Sequence, residues 1–344
     1  MIAAVLAAAA ALLASNETLT AIRGIRVGHH TLAERPTGCT VILVDGGAVA
    51  GVAQRGAAPG TRETDLLRGS TKSAVSIDDV DRIDAVMLSG GSAYGLDAAT
   101  GVMRWLDEHR AGRDASAAGV PIVASAVLID LWVGGKPRIR PGGDCGYRAA
   151  AAATNAPVRE GTVGAGAGAT VGKLSGRARA MKGGIGSAVI VLPNGLQVGA
   201  IVAVNPLGDV IDPQTGRVVA GVRRADGSLA DARTLLRNGT TMAPPAAGEN
   251  TTIGVVATNA RLTKADANRV AHMADSGYAR AISPIHTLAD GDTIFALATG
   301  RWTGDADAET IGALAADAMA DAIVRAVTAA TSAAGIPAAR DLKR

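Results

Sequence analysis

The sequence predicts a mixed α/β protein in which helices are layered on mixed or antiparallel sheets. Predicted strands and helices alternate along the chain, and several neighbouring strands lie close enough in sequence to pair antiparallel. Between two apolar runs stands Pro193-Asn194-Gly195, a strong signal for a β-hairpin. The chain has no repeat with a period of about 20–50 residues, which argues against a solenoid. These observations favour layered sheets over a doubly wound parallel sheet.

In the first half of the chain, strands are predicted at residues 40–44, 49–53, 85–88 and 121–128. The first two flank Asp45-Gly46-Gly47, a turn signal, and are therefore predicted to form a hairpin. Apolar residues with helical periodicity predict a helix over 96–109. An Ala-rich segment predicts a second helix over 145–153.

In the second half, strands are predicted at residues 187–192, 197–205, 252–258 and 293–298. Segments 263–282 and 306–333 have the apolar spacing and the Ala content of long helices. The polar, Pro/Gly-rich stretch 237–250 predicts a loop that leads directly into the strand at 252–258.

Composition limits the function classes. With 344 residues, 48% of them hydrophobic, the chain can form one large globular domain or two. A net charge of +3 and only 3 Trp, 3 Tyr and 1 Phe leave few stacking platforms, so nucleic-acid binding is not expected. The apolar segment 1–14 is too short to span a bilayer and lacks a preceding Lys or Arg. We expect a cytoplasmic protein without membrane association, with a mis-called start, an extension or a weak export signal left open for this segment.

Neither a metal nor a cofactor is expected. Cys39 and Cys145 lie far apart without metal-ligand spacing, so free cytosolic thiols are predicted rather than a disulfide framework. No partner ligand recurs at helical spacing from His29-His30. Asp290-Gly291-Asp292 lacks the wider pattern of a calcium loop.

The most informative segment is Asn250-Thr251-Thr252, which lies between the polar loop and an apolar strand. A self-cleaving hydrolase would place its nucleophile there. Once the Asn250–Thr251 bond breaks, the α-amine of Thr251, with a typical pKa of ~7.7–8.0, can serve as base for its own hydroxyl. On local sequence alone, however, an ordinary strand start is the more frequent meaning of such a tripeptide.

Two further segments can contribute polar groups. Gly90, Gly91 and Ser92 form a glycine-rich turn from strand to helix, whose N–H groups could bind a carboxylate or an oxyanion. A tight turn without a ligand explains them equally well. Asp290 and Asp292 could hold an ammonium group or orient a threonine hydroxyl, with a simple turn as the alternative.

Taken together, five motifs resemble the DmpA family of peptidases. They are Gly24-Ile25-Arg26-Val27-Gly28-His29 and the segments 55–63, 88–96, 250–255 and 286–293. The family comprises L-aminopeptidase/D-esterases, β-peptidyl aminopeptidases and nylon-oligomer (6-aminohexanoate oligomer) hydrolases. The resemblance extends from about Ile22 to the C-terminus, and the Asn-Thr pair is similar to the nylon-oligomer branch.

The resemblance implies an αββα sandwich similar to N-terminal-nucleophile hydrolases. It implies an apolar extension over 1–20 and a single domain over 21–344, which cuts itself into 21–250 and 251–344. A homotetramer is expected by the same resemblance.

The resemblance also assigns site residues: the nucleophile Thr251, then Lys173, Asn205, Asp290 and Asp292. A partly buried Lys173 could hold or relay a proton, and the Asn205 amide could donate to an oxyanion. A surface lysine and a turn residue before proline are the simpler alternatives for these two.

At the position where the branch has a tyrosine, this chain has Ile129, so the handling of substrate at that corner differs. The expected function is hydrolysis of a small peptide or amino-acid amide that carries a free amine, with β-peptides and 6-aminohexanoate oligomers among the candidates. Acyl transfer to an amine and a non-catalytic scaffold are the alternatives.

Overall fold

The computed structural model describes residues 16–68, 82–109, 119–241, 250–305 and 307–342. Its strands are β1 Ile25–Thr31, β2 Gly38–Gln54, β3 Thr61–Arg62, β4 Arg82–Ser89, β5 Val123–Val127, β6 Thr170–Val171, β7 Met181–Lys182, β8 Gly184–Val191, β9 Gln197–Val204, β10 Asp209–Ile211, β11 Val218–Ala220, β12 Ile253–Thr258, β13 Ile282–Ser283 and β14 Thr293–Ala298. Its helices are α1 Ala98–His109, α2 Gly143–Ala151, α3 Ala232–Arg237, α4 Lys264–Ala281 and α5 Ala308–Ala329.

A nine-stranded mixed sheet dominates the fold, in the order β3-β5-β4-β2-β14-β12-β9-β8, with β1 paired to β2. The pairs β4–β5 and β12–β14 are parallel and the other pairs are antiparallel. The predicted hairpin across Pro193-Asn194-Gly195 is confirmed, since it joins β8 to β9. The preference for a mixed sheet over a doubly wound parallel one is confirmed as well.

The hairpin predicted around Asp45-Gly46-Gly47 is wrong, because the chain continues straight through this segment as β2. The two glycines adopt positive φ values of 76° and 71° and form a bulge, where the pairing with β4 shifts between Leu43 and Ala48. Glycine supplies a bulge as readily as a turn. The first half of β2 pairs with β1 and β4, and its last residues pair with β14.

In the described residues, three of the four apolar clusters lie between the four layers of the fold. Helices α4 and α5 cover one face of β8, β9, β12 and β14, and α1 and α2 cover β2 and β4. Between the two halves of the sheet lies a central core that includes Ile42, Val86 and Phe295. Neighbours along β12 face opposite ways: Val256 points to the α4/α5 core and Val255 to the central core. This layering confirms the αββα sandwich.

Helix boundaries follow local signals. Helix α4 begins after Thr263, whose side chain forms a capping box with Asp266. Asp307 caps α5, which ends at Ala329 rather than at residue 333 because Ala330 is extended. In the described part of the chain, no helix is long and apolar enough to cross a membrane.

Residues 1–15 of the predicted N-terminal extension lie outside the described residues, as does the loop segment 242–249. The rest of that extension packs into the domain. Leu19 is fully buried in the central core, and its N–H donates to the Ser187 hydroxyl at 2.9 Å. The folded domain therefore begins before residue 21.

The prediction of free thiols is wrong: Cys39 and Cys145 form a disulfide, with a Cα–Cα distance of 6.3 Å. Cys39 lies at the start of β2 and Cys145 in α2, and both belong to the core between α1, α2 and the sheet. Packing of the helix on the strand brings together two residues that are 106 positions apart. The sequence carries no spacing signal for such a contact.

Candidate active site

Thr251 lies just before β12, at the end of the sheet where β14 also begins. Because β12 and β14 are parallel, the residues preceding each strand lie side by side, and Asn250 forms a parallel bridge with Asp290. Thr251 is only 2% exposed. Its hydroxyl donates to the carbonyl oxygen of Asn250, the residue directly before it.

The loop between Asp290 and Asp292 closes over that carbonyl. The N–H of Gly291 donates to the Asn250 oxygen at 3.2 Å. A Cβ atom at position 291 would lie 2.5 Å from the Ala58 oxygen and 3.0 Å from Thr251 Oγ1. Only a glycine fits here without displacing Thr251 or the chain at Ala58.

Asp292 and Asp290 have different partners. Asp292 accepts from the Thr252 N–H at 2.7 Å through Oδ1, and Oδ2 lies 3.0 Å from His286 Nδ1. Asp290 accepts from the Thr287 N–H and hydroxyl at 2.7 and 2.6 Å through Oδ2. Its Oδ1 is buried and has no hydrogen-bond partner among the described residues. Burial, together with the charge of Asp292, raises the pKa of the Asp290 carboxyl.

Asn205 faces Thr251 from the end of β9, the antiparallel neighbour of β12. Its carbonyl oxygen accepts from the Thr251 N–H at 3.0 Å. Its side-chain oxygen accepts from Thr170 N–H at 2.9 Å and from Lys173 Nζ at 3.1 Å, and its Nδ2 donates to Ile129 O at 3.3 Å. The amide nitrogen has a second hydrogen to donate. Asn205 is therefore a fully buried bridge between four segments rather than a simple turn residue.

Lys173 is also buried, which excludes the surface-lysine alternative. Its Nζ donates to the carbonyl oxygens of Thr170 and Asn205, both at 3.0 Å. Burial lowers the pKa of the Lys173 ammonium to about 7, against the opposing effect of the Asp290 carboxylate. A lysine that exchanges its proton near neutral pH is suited to proton transfer.

The N–H groups of Gly90, Gly91 and Ser92 are not free for a ligand, contrary to the sequence-based expectation. They donate to Gly38 O at 2.9 Å, to Asp130 Oδ1 at 3.0 Å and to Leu128 O at 3.0 Å. This turn instead anchors the strand end at Ile129, whose carbonyl holds the Asn205 amide.

Asp130, beside Ile129, also forms a fully buried ion pair with Arg35 at 2.9 Å. Ile129 itself is half-buried. The contribution of this corner to the candidate site thus comes through its backbone and through the Arg35–Asp130 pair.

Sequence reasoning gave no role to three groups at the site. His286 belongs to a family-like motif but was assigned no function, and Asp275 on α4 belongs to no motif. The N–H of Gly291 is invisible in a side-chain pattern. Among the described residues, no group of three or more His, Cys, Asp or Glu is arranged to hold a metal ion.

The sequence profile of Peptidase family S58 matches residues 17–340. The chain belongs to this family. An uncharacterized aminopeptidase of Mycobacterium leprae is 43% identical, over 94% of this chain and 93% of its own length. A 6-aminohexanoate-oligomer endohydrolase of Paenarthrobacter ureafaciens is 31% identical, over 88% of this chain and 84% of its own. As an S58 member, the protein is a hydrolase of peptide or amide bonds.

Two solved structures share the fold. The L-aminopeptidase D-Ala-esterase/amidase of Ochrobactrum anthropi, described as a variant of the Ntn hydrolase fold, superimposes with a TM-score of 0.66 at 19% identity, covering 92% of this chain and 86% of that one. A β-aminopeptidase of Burkholderia sp. gives a TM-score of 0.65 at 23% identity, with coverage of 94% and 90%. These matches support the αββα architecture and the Ntn-like layering.

Proposed function

We propose that this S58 member cuts its own Asn250–Thr251 bond and then uses Thr251 as an N-terminal nucleophile on peptide or amide substrates. One observation carries the proposal. The Thr251 hydroxyl lies against the Asn250 carbonyl, while the Gly291 N–H donates to the same oxygen. In this proposal the Thr251 hydroxyl is the nucleophile, the Asn250 carbonyl is the electrophile and the Gly291 N–H is the oxyanion donor of the uncut chain.

The proposed self-cleavage proceeds through an ester between Asn250 and Thr251. Thr251 Oγ1 bonds to the Asn250 carbonyl carbon, its proton passes to a nearby base, and negative charge develops on the oxygen that faces Gly291. The C–N bond then breaks and the Thr251 nitrogen takes up a proton, which leaves an ester between Asn250 and Thr251. Water hydrolyses this ester to the Asn250 carboxylate and the free Thr251 hydroxyl.

After the cut, the new α-amine of Thr251 would stay near the Asn205 carbonyl, 3.0 Å from its nitrogen in the uncut chain. Lys173 Nζ donates to the same oxygen at 3.0 Å. Two ammonium groups on one buried oxygen repel each other, which favours the neutral form of one of them near pH 7. In its neutral form, the Thr251 α-amine can accept the proton of its own hydroxyl. The Asn205 Nδ2 can donate to a substrate oxyanion.

For the substrate we propose a small peptide or amide with a free amine. Asp290 Oδ1, which is buried and unpartnered within the described part of the chain, is suited to accept from an ammonium group. The named activities of the relatives, aminopeptidase and 6-aminohexanoate-oligomer endohydrolase, fit this class. A panel of L-, D- and β-aminoacyl amides and 6-aminohexanoate oligomers separates its members, and an added amine acceptor reveals acyl transfer. The homotetramer and the cytoplasmic location stay predictions.

Intact-mass analysis of the purified protein tests the cut. We expect two fragments divided before Thr251, whereas Thr251→Ala should remain one chain of 34.2 kDa. Thr252→Val is the matched control: in the regions that the structure describes, the Thr252 hydroxyl has no hydrogen-bond partner, so this variant should process like the wild type. A wild-type chain that stays whole and does not react at Thr251 with an amine-bearing ester would overturn the proposal.

A further inference from the structure

We propose that His286 is a positioning residue for Thr251: it holds the Asp292 carboxylate that fixes the main chain beside the nucleophile. The inference rests on the proposed function, because it assigns a role in the same chemistry. It starts from a row of contacts that runs from helix α4 to the nucleophile segment through Asp275, His286, Asp292 and Thr252.

The contacts form an unbroken series. His286 Nε2 lies 3.1 Å from Asp275 Oδ2, and Nδ1 lies 3.0 Å from Asp292 Oδ2. The other oxygen of Asp292 accepts from the Thr252 N–H at 2.7 Å. The Thr252 amide is covalently attached to Thr251, so a shift of Asp292 moves the residue that carries the attacking hydroxyl.

The backbone of His286 supports the same contact. Its φ of 57° is in the left-handed region, which residues other than glycine seldom occupy. This conformation turns its own N–H toward Asp292 Oδ2, at 3.3 Å. The ring and the main-chain N–H of His286 thus both contact Asp292 Oδ2. Backbone strain of this kind concentrates at functional sites.

The protonation state of His286 matters because its ring contacts a buried carboxylate. The Asp292 side chain is 0% exposed, and a buried carboxylate needs a positive partner. Burial alone would lower the pKa of His286, but the Asp275 and Asp292 carboxylates beside its ring outweigh burial and raise that pKa to about 9. His286 is therefore an imidazolium at neutral pH, and it loses its proton as the pH rises through about 9.

Other charged groups face this row from several elements. Arg55, after β2, lies 3.8 Å from Asp275, and the Tyr278 ring of α4 has its centroid 6.4 Å from that of His286. On the side of Thr251, Asp290 interacts electrostatically with Asp292 and with Lys173, and Lys173 also interacts with Asp292. Among these groups, His286 is the one that bonds directly to Asp292 Oδ2.

A purely structural strut between α4 and the loop would explain the same contacts. The two roles differ in the pH dependence of turnover. If His286 only stabilises the structure, its replacement should lower stability and leave the fall of kcat at alkaline pH unchanged. If the imidazolium positions Thr251, that alkaline limb of the pH–kcat profile should report the loss of the His286 proton.

The experiment measures kcat and KM for an amine-bearing p-nitroanilide from pH 5.5 to 10, together with the melting temperature. His286→Asn keeps a side-chain donor toward Asp292 and tolerates positive φ, but it removes the charge and the Asp275 contact. Asp275→Asn removes one of the two carboxylates that raise the His286 pKa. The exposed His109→Asn, at the end of α1 and away from this row, is the matched control.

For the wild type we expect kcat to fall along a limb near pH 9. His286→Asn should lower kcat about 100-fold with KM nearly unchanged and should lose this limb. Asp275→Asn should move the limb to lower pH, and His109→Asn should match the wild type. A folded His286→Asn with wild-type kcat, or an unmoved limb in Asp275→Asn, overturns the role of His286. A wild type without turnover and without a Thr251 adduct overturns instead the proposed function.

Discussion

Replacing Gly291 by alanine tests whether self-cleavage depends on the close approach of this loop to the nucleophile. The added Cβ would lie 2.5 Å from the Ala58 oxygen, and an ordinary contact starts at 3.4 Å, so the loop or its neighbour must move by about 0.9 Å. The same shift changes the distance between the 291 N–H and the Asn250 oxygen. A misplacement of about 1 Å costs on the order of 100-fold in rate. We expect processing of Gly291→Ala to slow by about that factor.

The assay is a time course of processing after cell-free synthesis, followed on denaturing gels. Gly143→Ala is the matched control, because a Cβ there meets its nearest neighbour at 3.8 Å, an ordinary contact, and the residue lies in α2 away from Thr251. The control should process like the wild type. Wild-type kinetics in Gly291→Ala would refute the reasoning from this contact.

Three more predictions follow from the site and the fold. Lys173→Met should lower kcat about 10²–10⁴-fold, as expected for loss of a proton-transfer group. In the uncut Thr251→Ala background it should also reduce the rise in unfolding free energy between about pH 7 and 10.5, because a lysine with a lowered folded pKa binds fewer protons than the unfolded chain there. Urea titrations measure this rise, of which Lys182, with its own pKa lowered to about 7, should retain part. Asn205→Ala should cost about 10²–10³-fold in kcat in stopped assays, the usual effect of one oxyanion donor. Reduction of Cys39–Cys145, which closes a loop with a sequence separation of 106, should lower the unfolding free energy by about 4–5 kcal/mol in urea titrations with and without reductant. An unchanged titration would contradict a stabilising disulfide.

Much of the fold could be predicted because its signals are local. The Pro193-Asn194-Gly195 turn and the apolar runs of β12 and β14 depend on residues near one another in sequence. The parallel pairing of β12 and β14 then explains why Asn250 and Asp290 meet. A hairpin turn was wrongly predicted at Asp45-Gly46-Gly47 because turns and bulges both favour glycines with positive φ. The pairing with neighbouring strands decides between the two.

The candidate site was predictable only in part, for a similar reason. Lys173, Asn205, Asp290 and Asp292 are carried by motifs, and the structure brings them together around Thr251. The Asp275 contact arises from the packing of α4 beside the loop, a tertiary fact without a sequence pattern. The N–H donors of the Gly90 turn were misjudged because their acceptors, such as Asp130, come from segments remote in sequence.

The place of the Asn250–Thr251 bond has a consequence for the protein after cleavage. The C-terminal piece would contribute β12 and β14, which lie in the interior of the sheet between β9 and β2 of the other piece. It would also carry α4 and α5, which cover one face of the same sheet. Pulling the pieces apart would break backbone ladders on two sides and expose two cores to water. The cut would therefore leave two pieces held together by the shared sheet and the two cores. The new Thr251 amine would then stand in a fold that is otherwise unchanged.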